Sequence, residues 1–120
     1  MSALRQALHK AASAVEVMPE TSGWQRRYLF EASSAVFAGH FPGHPVLPGV
    51  AQILMAQMTL EDAMGRPIII SSINQAKFMA PVEPEAVIEL QVKMGGAARL
   101  WDCMLYHDKH MVARFQLEII

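Results

Sequence analysis

Residues 40–50 read His40-Phe41-Pro42-Gly43-His44-Pro45-Val46-Leu47-Pro48-Gly49-Val50, an imidazole followed by a Pro/Gly loop that runs directly into an apolar, helix-forming segment. Prolines 42, 45 and 48 each hold φ near about −65° and remove a backbone donor, while Gly43 and Gly49 admit positive φ or close approach of another backbone. A stiff loop of this kind fixes the direction of one ionisable side chain. If that side chain faces the N-terminus of the following helix, the free N–H groups there can polarise a carbonyl oxygen while the imidazole moves a proton. An unperturbed imidazole titrates near about pH 6.5 and needs little tuning to act as a base. His44 is a second imidazole on the same loop and a candidate for proton exchange with His40. The two are four residues apart, a spacing that on a helix would present two ligands to zinc. Pro42 and Gly43 oppose a helix there, and no third ligand accompanies the pair, so no metal is expected. His107 and His110 flank a turn and carry the same weak signal. Cys103, the single cysteine, alternates within a strand and reads as a small buried hydrophobe.

The elements that must hold this loop are legible on both sides of it. Leu4, Leu8, Ala11, Ala12 and Val15 recur at helical spacing and shade into an alternating stretch at 14–18, which predicts a short helix and then a strand. Pro19-Glu20-Thr21-Ser22-Gly23 is turn chemistry, and 24–31 reads as the returning strand of a hairpin. After the loop, Pro48 and Gly49 stand where a helix begins. Val50, Ile53, Leu54, Gln57, Met58 and Met64 make it apolar nearly all round, so it is expected to be buried, and Gly65-Arg66-Pro67 ends it. Residues 67–78 form an Ile-rich strand. In 85–94, Ile88, Leu90, Val92 and Met94 alternate with Glu89, Gln91 and Lys93, and Gly95-Gly96 makes the turn into 99–107. In 111–120, Met111, Ala113, Phe115, Leu117 and Ile119 are expected to face one way. One long helix against a mostly antiparallel sheet of about five to six strands is an α+β arrangement, and residues 1–120 form one domain.

Composition narrows the classes of function. With 52% apolar residues and a mean hydropathy of +0.21, the chain can bury a core and has apolar surface to spare for another subunit. Its net charge is −1 with scattered Lys and Arg, which excludes the electrostatic footprint of a nucleic-acid binder. Its apolar runs are too short or interrupted to span a bilayer as a helix. The lone cysteine forms no disulfide within the chain, and no charged segment with a long apolar run follows Met1, so a reducing cytoplasm is the expected compartment. The nine methionines fit core filling as well as an adaptable apolar cavity.

Gly39-His40-Phe41-Pro42-Gly43-His44-Pro45-Val46-Leu47-Pro48-Gly49-Val50 resembles the signature of the hotdog-fold 3-hydroxyacyl-acyl-carrier-protein dehydratases. The likeness extends to Phe37-Ala38 and to Lys77-Phe78-Met79-Ala80-Pro81-Val82. It implies a hotdog fold, a homodimer or larger oligomer of dimers, and an acyl group held as a thioester on an acyl carrier protein or CoA. It implies no cofactor. His40 takes the part of base or proton shuttle at C2 and C3 of the substrate, and the backbone of Gly49 and Val50 that of the thioester-carbonyl site. Phe41, Leu47, Leu54 and Phe78 are expected along the acyl pocket.

The family's second catalytic residue is an acid on the helix, four positions after the residue matching Val50 and contributed across the dimer interface. Leu54 stands there, and allowing one deletion moves the position to Ile53. Gln52 and Gln57 can orient a hydroxyl or water but cannot give up a proton at neutral pH. Glu61, seven residues on, lies about 10.5 Å further along the helix axis. Three readings stay open: a dehydratase working without the usual acid, a non-catalytic acyl-binding or partner subunit of a dehydratase, and a hotdog thioesterase. Arg26, Arg27, Arg66 and Lys77 could meet an acidic carrier protein, although solvated charge is the simpler reading of each.

Overall fold

The computed structural model describes residues 2–38 and 43–120. Helix α1 (Ala3–Ala11) starts at Ser2, whose Oγ accepts from Arg5 N at 3.1 Å, and it buries Leu8. Strands β1 (Glu16–Met18) and β2 (Gly23–Leu29) make the hairpin expected around residues 19–23. A short 3-10 turn (Ala35–Phe37) precedes the loop, and α2 (Gly49–Met64) follows it. Then come β3 (Ile70–Phe78), β4 (Val87–Met94), β5 (Leu100–His107) and β6 (His110–Ile119). The six strands form one sheet, ordered β1-β2-β4-β5-β6-β3, with every neighbouring pair antiparallel. The α+β class and the element order therefore match the sequence reading.

Helix α2 is delimited by two residues that suit its ends. Pro48 stands at the N-cap with extended backbone, and Gly65 closes the C-terminus at φ +68°, donating to the Glu61 carbonyl at 2.8 Å. Its Ala51, Met55, Ala56, Met58 and Leu60 are buried against a sheet face built from Ile88, Leu90, Val92, Cys103, Leu105, Phe115 and Leu117. The expectation that α2 is buried all round needs correction. Val50 is 67% exposed, and Ile53 and Leu54 are only half-buried, because a single sheet covers one side of a helix. Further exposed apolar side chains, Ile69, Ile73, Phe78 and Met79, run along β3 and its ends, at the free edge of the sheet.

A β-bulge corrects the reading of the last strand. Leu105 pairs with Ala113 but Tyr106 with Met111, so Val112 is the extra residue. Val112 is buried and Met111 turns outward, which reverses the predicted alternation at that end. The bulge also supplies an anchor: the Val112 carbonyl accepts from Met79 N at 2.8 Å and Ala80 N at 3.2 Å, fixing the segment that leaves β3. Met94, expected inward, is likewise 46% exposed at the end of β4.

Arg26 is not an exposed cation. Only 7% exposed, it donates through Nε to the Ser13 carbonyl and forms an ion pair with Asp62, both at 2.8 Å, and its Cζ lies 5.9 Å from the Tyr28 ring centroid. Tyr28 OH in turn lies 3.2 Å from both the Met55 carbonyl and Thr59 Oγ1, tying β2 to the middle of α2. Burial pushes the Tyr28 hydroxyl above its ordinary pKa, so it remains a neutral donor. Arg27 differs from Arg26, since its pair with Glu16 spans 4.0 Å between well-exposed groups. Arg26→Ala is expected to lower the unfolding free energy by about 2 kcal/mol, by stranding the Ser13 carbonyl and the Asp62 carboxylate. Arg27→Ala is expected to cost less than about 0.5 kcal/mol. Urea titrations of the two variants side by side check this, and equal midpoints would contradict the assignment.

Candidate active site

The loop entering α2 is held from both sides at Leu47. Its N–H donates to the Val82 carbonyl at 2.8 Å, and its carbonyl accepts from Gln52 Nε2 at 3.2 Å. Gly43 takes φ +80°, a left-handed conformation for which glycine is suited. Leu47 is buried, while His44 on the same loop is exposed. His40 and Phe41, the base and a pocket residue expected from the sequence, lie outside the described residues. Among the described residues, no group of three His, Cys, Asp or Glu side chains is arranged to hold a metal ion.

The first turn of α2 presents free amides. Ala51 N and Gln52 N both reach the Pro48 carbonyl, at 3.1 and 3.2 Å, whereas the amides of Gly49 and Val50 precede any intrahelical acceptor. They carry the positive end of the helix dipole, which suits a carbonyl oxygen gaining negative charge. Beside this turn opens a cleft of about 300 Å³, lined by Val46, Leu47, Gly49, Gln52, Phe78, Met79, Ala80 and Pro81. A Cβ on Gly49 would lie 3.0 Å from Phe78 Cζ, so the absence of a side chain there lets the aromatic ring lie directly against the helix start. The cleft is mostly apolar, and none of its lining residues is a carboxylate.

The expected site residues divide between this cleft and other parts of the fold. Leu47, Gly49, Gln52 and Phe78 come together at it. Leu54 does not line it: at about 100° per residue it is turned roughly 200° from Gln52, onto the half-exposed outer face of α2 with Val50 and Gln57. Gln57, expected as an auxiliary group, instead donates to the Ile68 carbonyl at 2.8 Å and secures the exit from the helix. Glu61 is committed as well, through one oxygen to Arg5 Nη1 at 2.9 Å and through the other to Ile68 N at 3.1 Å. Cys103 is fully buried, and burial pushes its thiol far above the usual range, so it behaves as a small hydrophobe. His107 lies 3.5 Å from Asp108 across a tight turn remote in sequence from the cleft. Residues 79–81 form a wall that went unpredicted. The available signal was the proline ending a strand-like run at Pro81.

The ApeI-like family model, described as ApeI dehydratase, matches residues 16–114. Two FabZ 3-hydroxyacyl-acyl-carrier-protein dehydratases, from Sulfurimonas denitrificans and Syntrophotalea carbinolica, are each 33% identical to this chain, with matches covering 69% and 70% of it. Those matches span 66% and 65% of the relatives themselves, just under two thirds of their length. Among solved structures, the dehydratase heterocomplex ApeI:P from Xenorhabdus doucetiae is similar with a TM-score of 0.78 at 23% identity, over 90% of this chain and 95% of that one. PaaI of the E. coli phenylacetic acid degradation operon gives 0.67 at 14% identity, over 98% and 86%. The two structural likenesses establish the hotdog fold. Matched over most of its length by that family model, the chain belongs to the ApeI-like family of hotdog dehydratases.

Proposed function

We propose that this protein processes acyl thioesters carried on an acyl carrier protein or CoA, and that it dehydrates 3-hydroxyacyl thioesters to 2-enoyl thioesters. The observation that carries the reading is the apolar cleft at the start of α2, where Gly49 stands against Phe78 and its amide, with that of Val50 next to it, precedes any intrahelical acceptor. The thioester carbonyl accepts from those amides, which acidifies the C2 proton. His40 removes that proton, the C3–O bond breaks as the C2–C3 double bond forms, and the departing hydroxyl takes a proton and leaves as water. With no carboxylate along the cleft, the imidazolium formed in the first step is the donor that returns the proton.

The half-exposed apolar face of α2 and the free β3 edge support a homodimer in which a second copy covers both. They also favour a second reading, in which a related but different chain covers that face and brings a carboxylate to the site. The FabZ relatives are named as dehydratases and ApeI:P as a heterocomplex, which supports both readings. Dehydration, the reverse hydration and thioester hydrolysis, assayed together on a 3-hydroxyacyl-pantetheine thioester, test the proposal; hydrolysis alone would favour a thioesterase.

Gly49→Ala probes the carbonyl site. The exposed Phe78 ring can yield to a new Cβ, so the protein is expected to keep its fold. Displacing the ring and the amide by a fraction of an ångström is expected to lower kcat/KM about tenfold or more. Steady-state kinetics beside a thermal melt separates these effects, and unchanged kinetics would contradict the placement.

A further inference from the structure

We propose that Gln52 is a specificity-determining residue whose side-chain carbonyl accepts a hydrogen bond from the C3 hydroxyl of the bound acyl chain, so that the site prefers 3-hydroxyacyl thioesters to acyl thioesters lacking that hydroxyl. The inference rests on the acyl-thioester reading of the cleft.

Gln52 is only 3% exposed and lines the cleft one turn into α2, beside the free amides. Its two polar ends are distinguishable, because Nε2 is committed to the Leu47 carbonyl at 3.2 Å. That bond leaves Oε1 as the uncommitted end of the amide, buried with no hydrogen-bond partner. The other buried side-chain atoms left without a partner among the described residues are Arg26 Nη1 and Trp101 Nε1, both donors, and neither residue lines the cleft. Oε1 is therefore a fully buried, orphaned acceptor on a residue that lines the cleft, whose remaining walls, Val46, Leu47, Gly49, Phe78, Met79, Ala80 and Pro81, carry no side-chain donor. A buried acceptor in such a place gains from a ligand that brings a donor, and loses when one without a donor seals it off.

Chemistry limits what that donor is. A thioester offers only acceptors, its carbonyl oxygen and sulfur. The 2-enoyl product and a saturated acyl chain add no donor, whereas the 3-hydroxyacyl substrate carries one O–H two carbons from the carbonyl. With the carbonyl on the Gly49 and Val50 amides, the hydroxyl is the donor nearest to it on the acyl chain. The amide N–H groups of a pantetheine arm are an alternative source, common to every acyl thioester. Sites that pair with a substrate hydroxyl reject the analogue lacking it far more strongly than apolar pockets reject a missing methylene.

The test measures binding of 3-hydroxyoctanoyl-pantetheine and octanoyl-pantetheine to the intact protein and to Gln52→Met, by calorimetry. The expected result is a preference for the hydroxylated thioester of about tenfold or more in the unmodified protein, reduced to about twofold or less in the variant. Loosening of the loop through loss of the Leu47 bond would weaken both ligands together and leave their ratio intact, so the ratio isolates the hydroxyl contact. Equal binding of the two thioesters by the unmodified protein would overturn this inference, while the acyl-thioester reading stands. Binding of neither would overturn both. If Gln52→Met does not fold, the ratio in the unmodified protein still decides.

Discussion

Replacing His40 by alanine is expected to lower the turnover of 3-hydroxyacyl thioesters by about 10²- to 10⁴-fold while the protein folds normally, because the variant loses the imidazole proposed to carry the proton but keeps the carbonyl site. The reasoning starts from the cleft. Its lining side chains are apolar apart from Gln52, and a glutamine neither takes nor gives a proton at neutral pH. The two acids of α2 are occupied and stand near its far end: Glu61 is held by Arg5 and Ile68 N, and Asp62 by Arg26. His44, exposed on the loop, is the control. His44→Ala is expected to change turnover by less than a factor of about three, the behaviour of a solvent-facing loop residue. If the two variants lose activity equally, the proton passes through both imidazoles and the single-shuttle account is wrong.

The second large effect is expected at Leu54. On the outer face of α2 it is half-buried, beside the 67% exposed Val50, so a glutamate there meets no fully closed core in the single chain. If a second copy covers this face, the new carboxylate is delivered to that copy's loop, where a positioned acid can protonate the leaving hydroxyl. Leu54→Glu is then expected to raise dehydration on the order of 10²-fold, the contribution of one well-placed general acid. Leu54→Gln, of the same shape but without a proton to give, is expected to show no gain. A fall in existing activity in both variants would show instead that the leucine packs a working pocket as it stands.

Much of this arrangement was legible in the sequence, and the reasons differ by element. Helix α2 announced itself through Pro48 and Gly65 and the largely apolar segment between them, and local chemistry at both ends placed it. The β4 face carrying Ile88, Leu90 and Val92 followed from strict alternation. What stayed hidden depends on contacts between distant segments. Nothing local distinguishes Arg26 from Arg27, yet strand pleating turns the first inward to Asp62 and the second toward solvent. A bulge at Val112 is invisible in an alternating strand, although it fixes Met79 and Ala80 at the cleft wall. Gln52 and Gln57 looked equivalent as polar residues on an apolar helix. Five residues apart, they face different sides, one toward the cleft and one toward Ile68. His40 and Phe41 rest on the motif, since they lie outside the described residues.

The most direct test of the account follows 3-hydroxyacyl-pantetheine thioester by mass spectrometry in deuterated buffer with the purified protein. The account predicts loss of water to the 2-enoyl thioester, the same mixture reached from the enoyl side, and deuterium at C2 of the hydrated product. No interconversion in either direction, with the protein folded and the thioester bound, would contradict it.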